Sequence, residues 1–98
     1  MSIEMMTLAW GIEIPATEKI VLLKIADGSG DDGSFSINQK ATYIACGVNE
    51  RDFSGCIFRL QEEGVISITA FTNSPSGNVM AHGKLNLGSR RTFRAKND

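Results

Sequence analysis

Arg51 stands between Glu50 and Asp52, with Ser54 three positions on, and residues 84–98 gather Lys84, Arg90, Arg91, Arg94 and Lys96 against a single Asp98. Guanidinium groups read guanine edges and clamp phosphates, and a neighbouring hydroxyl supplements them, so these residues carry recognition chemistry. Residues 1–83 hold ten acidic groups against five basic ones (Lys19, Lys24, Lys40, Arg51, Arg59). The net charge of -1 therefore conceals a basic terminus suited to a polyanion. Catalytic chemistry is poorly provided for. The lone histidine, His82, has no serine or cysteine nucleophile near it in sequence, and no carboxylates cluster usefully, so no enzyme is expected. Cys46 and Cys56 lack both a CxxC pattern and a histidine at metal spacing; both read as small core residues, and neither a metal nor a cofactor is implied.

The stretch Asp27 to Ser36, DGSGDDGSFS, contains two motif-like patterns. Gly28, Gly30 and Gly33 fit GxGxxG, but a dinucleotide turn follows a strand and opens a helix, whereas here a helix precedes it, and three aspartates would repel phosphate. Asp27, Ser29 and Asp31 resemble the start of a calcium loop, yet Asp32 occupies the sharp-turn glycine position and Asn38 replaces the closing glutamate. The composition predicts an exposed loop, with a weak adventitious cation site at most.

The elements that must position Arg51 and Ser54 are legible in residues 38–66. The sequence predicts a helix, a turn at Gly47, a second helix capped by Asn49 and ended by Gly64, and then a strand. Phe53, Cys56, Ile57 and Leu60 repeat at the three and four residue spacing of one buried face. Upstream, Pro15 sets up a helix from about Ala16 to Ala26 whose apolar residues cover most of its circumference, so it is expected to be largely buried. Before it, Ile3 to Ile12 offers Met5, Met6, Leu8 and Trp10 as core-fillers or as a dimer contact. Downstream, Val65 to Thr72 reads as a strand on either alternation, NSPSGN is a turn, and Val79 to Leu87 returns to complete a hairpin.

Ninety-eight residues, 42% of them hydrophobic, suit one compact domain spanning residues 1–98. No run reaches the roughly 18 apolar residues that span a bilayer, and Glu4 stands where a secretory signal would be basic. A cytoplasmic protein with no membrane partner is expected. The expected fold class is α+β: a winged helix-turn-helix with three core helices and a C-terminal β-hairpin wing. The helix-turn-helix occupies about residues 38–63, the wing about 65–87 and the basic tail 88–98.

PATEKIVLLKIAD followed by a DDG-containing loop, and CGVNERDFSGCIFRLQEEGVI after it, resemble the winged-helix domains of phage and plasmid replication-initiation proteins and prophage regulators. The resemblance covers roughly Trp10 to Ile68. It implies that Asn49 is the cap, that Phe53, Cys56, Ile57 and Leu60 form the core face, and that Arg51, Ser54, Gly55 and Phe58 are presented to the major groove. This chain departs from the family in that face, where Gly55 has no side chain and Phe58 is apolar, and in Thr42 and Tyr43, which replace an aliphatic residue and alanine. An exposed Phe58 has three explanations: contact with thymine methyl groups, packing under the wing, or a protein interface.

The expected function is a small DNA-binding protein of a mobile element, acting in transcriptional regulation, replication initiation, or partition and excision. Arg51 and Ser54 would read bases, Gln39 and Lys40 at the start of the first motif helix would touch phosphates, and Asn49 would lie at the DNA-binding surface. Lys84, Arg90, Arg91 and Arg94 would bind backbone phosphates, the three arginines supplying most of the salt-dependent affinity. So few contacts imply a homodimer or a multimer along the duplex. The competing expectation is a protein-binding module of the same element, with Trp10, Gly55 and Phe58 at its interface and no sequence-specific DNA binding.

Overall fold

In the computed structural model, which describes residues 2–87, the order is α1 (Ile3–Trp10), α2 (Ala16–Asp27), β1 (Ser34–Asn38), α3 (Gln39–Cys46), α4 (Glu50–Glu62), β2 (Ile66–Asn73) and β3 (Val79–Leu85). This is an α+β arrangement of four helices and one three-stranded antiparallel sheet ordered β1-β3-β2. The sequence expectation of three core helices is corrected to four. Ile3–Trp10 is itself a helix, capped by Ser2, whose Oγ accepts from the Met5 N–H at 3.1 Å and donates to Asp31 at 2.9 Å. Met5 and Ala9 enter the core, while Trp10 stays 64% exposed.

The second correction concerns residues 27–36. They are not one exposed loop, because β1 begins at Ser34 and buries Phe35 and Ile37 while its serines face out. Two apolar residues alternating with serine make a strand that is visible only once β3 lies beside it. Gly33, at φ +88°, completes the approach: a Cβ there would lie 2.7 Å from the Leu85 carbonyl oxygen. The calcium-like residues serve the fold. Ser29 is buried and donates to the Ala26 carbonyl, and Asp32 accepts from the Ser34 N–H at 3.0 Å and from its hydroxyl, which holds the Asp32 carboxyl below its ordinary value.

Helix α2 buries Val21, Leu22, Ile25 and Ala26, but Ile20 is about half exposed, so the helix is embedded on one broad side only. Lys19 crosses from α2 to the end of α1, donating to the carbonyls of Ala9 and Trp10 at 3.3 and 2.7 Å with its ammonium 5.7 Å from the Trp10 ring centre. It satisfies carbonyls that a helix end leaves unpaired, and it holds α1 in place.

The hairpin is not a regular ladder. The register shifts between Ile68 and Ala70, so Thr69 is an extra residue and its hydroxyl donates to the His82 carbonyl at 3.1 Å. Val65 precedes the strand, whose Ile66 and Ile68 before the bulge and Phe71 after it share one face of the sheet; Ile66 is buried, Ile68 half-buried and Phe71 exposed. Neither simple alternation describes this strand because the bulge changes its phase. Opposite Ile68 lies Gly83, where a Cβ would sit 2.1 Å from the Ser67 carbonyl oxygen and 2.9 Å from the Phe35 ring. Only a glycine lets the middle strand lie this close to its neighbours.

Candidate nucleic-acid interface

The two helices that carry most of the sequence-predicted site are fixed at both ends by side-chain and glycine caps. Asn38 Oδ1 accepts from the Ala41 N–H at 3.0 Å to open α3, and Asn49 Oδ1 accepts from the Asp52 N–H at 2.7 Å to open α4. Gly47, at φ 74°, closes α3 with the Val48 N–H on the Tyr43 carbonyl; Gly64, also at φ 74°, closes α4 with the Val65 N–H on the Leu60 carbonyl. These bonds satisfy the terminal groups a helix cannot pair internally and fix where each helix stops. Asn49, expected both as cap and near the duplex, has its side-chain oxygen committed to the cap.

Phe53, Cys56, Ile57 and Leu60 are all buried, so the inward face of α4 is the one its spacing specifies. Phe53 meets Tyr43 of α3, ring centres 5.8 Å apart, which sets the two helices against each other. Thr42, one of the departures from the family pattern, is buried with its hydroxyl on the Asn38 carbonyl at 2.8 Å. Cys56 is buried within the core and Cys46 is half-buried and packed against it. Burial pushes both thiols up from their ordinary value.

The outward face of α4 presents Arg51, Ser54 and Phe58, all exposed. At 61% exposure, Phe58 is not covered by the hairpin. By helical rotation Glu62 shares this face with Arg51, so its end is acidic. Gln39 and Lys40 do not flank α4 alone. With Tyr43, Glu50 and the hairpin tip Gly77, Asn78 and Val79 they line a cleft of about 170 Å³ between the helix starts and the turn of β2 and β3. Lys84 is elsewhere: it pairs with Ser34 and Ser67 near Asp32, at the end of β3 roughly 17 Å from the tip. Arg90, Arg91 and Arg94 lie outside the described residues.

Two arrangements escaped the sequence. Glu18, in the first turn of α2, is buried, and its Oε2 accepts from Arg59 Nε on α4; its other oxygen is buried with no hydrogen-bond partner among the described residues. That pair raises the Arg59 pKa, first through the Glu18 hydrogen bond. Gly55, placed by its sequence position among groove-facing or interface residues, is half-buried beneath this arginine: a Cβ there would meet Arg59 Nη1 at 3.3 Å. A glutamate among apolar residues at the start of a helix was the available signal. The second arrangement centres on His82, whose Nδ1 lies 2.8 Å from Ser36 Oγ and whose Nε2 lies 2.8 Å from Thr72 Oγ1 across the outer face of the sheet. Both ring nitrogens are held by hydroxyls, so the imidazole links all three strands.

Among the described residues no group of three His, Cys, Asp or Glu could hold a metal ion, and no helix is long and apolar enough to cross a membrane. No protein-family model, curated protein or solved structure matches the chain.

Proposed function

We propose that this chain is a winged helix-turn-helix protein that binds double-stranded DNA, with α4 as the helix entering the major groove and the β2–β3 hairpin as the wing. The observation that carries the proposal is the division of α4: four buried residues anchor one face, while Arg51, Ser54 and Phe58 stand on a free face beside the cleft that holds Gln39 and Lys40. An anchored helix with an open face is what groove entry requires. The helix, strand, two-helix and hairpin order, with β1 paired to β3, supports the winged reading. Setting the protein in a phage or plasmid rests on the sequence resemblance alone. Two exposed cations at this end, Lys40 and Arg51, suit modest monomer affinity, and a homodimer or an array along the duplex would multiply it.

Anisotropy titration of random-sequence and element-derived duplexes over a salt series tests this. Wild type should bind near physiological salt, Lys40→Ala should lose affinity uniformly, and Arg51→Ala should lose sequence preference. Absence of duplex binding sinks the proposal. A second reading, a protein-binding module of the same mobile element, is favoured by one observation: residues 64–83 contain no Asp, Glu, Lys or Arg, whereas a wing on a phosphate backbone usually carries cations. A failed duplex titration together with loss of a partner complex in Phe58→Ser would select it.

A further inference from the structure

The face of α4 looks poor in cations because Gly55 contributes no side chain at its centre. In the folded chain that position is filled. Helical side chains lean toward the N-terminus, so Arg59 climbs one turn and lays its guanidinium over Gly55, where the place of a Cβ is 3.3 Å from Nη1, 3.7 Å from Nη2 and 3.9 Å from Cζ. Any larger residue at 55 would contest that space.

The guanidinium is also fixed in orientation. Glu18 is 5% exposed at its side chain and Arg59 is 54% exposed, so one end of the ion pair is anchored in the protein while the other reaches solvent. The anchor uses Nε alone. Nη2 makes a long contact of 3.8 Å to Cys56 Sγ, and among the described residues Nη1 has no hydrogen-bond partner. An arginine held through Nε keeps its two terminal nitrogens side by side, the spacing that matches the O6 and N7 acceptors of guanine. A tether joining α2 to α4 would need the Nε bond but neither the solvent exposure of the fork nor the glycine beneath it.

We infer that Arg59, oriented by Glu18 and laid over Gly55, is a second base-reading side chain of α4 and that its acceptor is the major-groove edge of a guanine. This rests on the proposed DNA binding and names a determinant of specificity within it. Arg51 and Arg59 then stand one turn to either side of Gly55 on the same side of the helix, and α4 reads with two arginines. Glu18 is a positioning residue that never touches the duplex.

The test begins with selection of preferred sites by wild type from a pool of random duplexes with fixed flanks. Arg59→Lys keeps the charge and removes the fork; E18Q/R59Q removes the fork and leaves no unpaired buried charge, so it reports even if the single variant melts early. Both should lose preference for one G·C pair, with about tenfold weaker binding to the selected site, while Arg59→Lys retains the wild-type salt dependence. Unchanged base preference in both variants overturns the inference. So does a loss that is uniform across sequences with a salt slope lower by about 1 in the double variant, which marks a phosphate contact. Wild type that binds duplexes without preference overturns the inference alone; wild type that binds none overturns the proposed function as well.

Discussion

Helix α4 and the β2–β3 hairpin adjoin each other in sequence and differ in almost every physical respect. The helix carries Glu50, Arg51, Asp52, Arg59 and Glu62 in thirteen residues, whereas the hairpin from Ile66 to Gly83 has no Asp, Glu, Lys or Arg. The helix is specified by periodic burial and by caps, each a local chemical feature. The hairpin is specified by backbone geometry: a bulge at Thr69, a glycine at 83 and a turn at Gly77 with φ 91°. Side chains thus determine one element and close backbone approach the other, and each should fail in its own way.

The largest effect is expected on the helix side. Phe53→Ala removes a fully buried ring that packs against Tyr43, and should destabilise the fold by about 4 kcal/mol in urea denaturation. A loss below about 1 kcal/mol would mean that α4 is not held by its core face. Gly83→Ala breaks the hairpin side. A methyl group 2.1 Å from the Ser67 oxygen cannot be accommodated without moving a strand, and about 3 kcal/mol should be lost. Hydrogen exchange should then show β2 and β3 opening ahead of α4; simultaneous opening would erase the distinction between the two regions.

Smaller changes sharpen the contrast. Asn49→Ala deletes the cap of α4 and should lower stability by about 1 kcal/mol, with fraying confined to its first turn by NMR amide exchange. The two thiols give the smallest effect. Burial favours their neutral forms, so their contribution to stability is intact below the ordinary thiol value of 9.0 and is lost as pH rises through the raised values in the fold. Alkylation by iodoacetamide at pH 8 should be slow at Cys46 and slower at buried Cys56. Rapid modification of Cys56 in native protein would contradict its placement.

The same contrast explains what could be read from the sequence. The elements legible in the sequence are ones with strong local signals: α2 after Pro15, the capped and glycine-closed α3 and α4, and the four buried positions of α4; the eight-residue α1, with Ser2 as its one side-chain cap, is the exception. Features created by distant residues were not legible. Strand β1 contributes two apolar side chains and becomes a strand only through β3, 46 positions away at the Ser36 and His82 pair. The Glu18 and Arg59 pair joins residues 41 apart, so Arg59 was counted as a charge and Gly55 as an empty place. Trp10 was named as a possible interface residue; its exposed ring lies beneath the Lys19 ammonium that also holds α1.

The bulge at Thr69 bears on solubility. Strand β2 is an outer strand of the sheet, eight residues long and uncharged, with Phe71 exposed near its end. Outer strands usually discourage pairing with other chains through lysine, proline or short length, and this one has none of the three. Its extra residue, which interrupts the regular row of amides and carbonyls, is the remaining guard. Deleting Thr69 would leave Ile66, Ile68 and Phe71 on their present face and straighten the strand into a continuous template. The shortened protein should stay folded when dilute and form sheet-linked aggregates as its concentration rises, with light scattering as the readout.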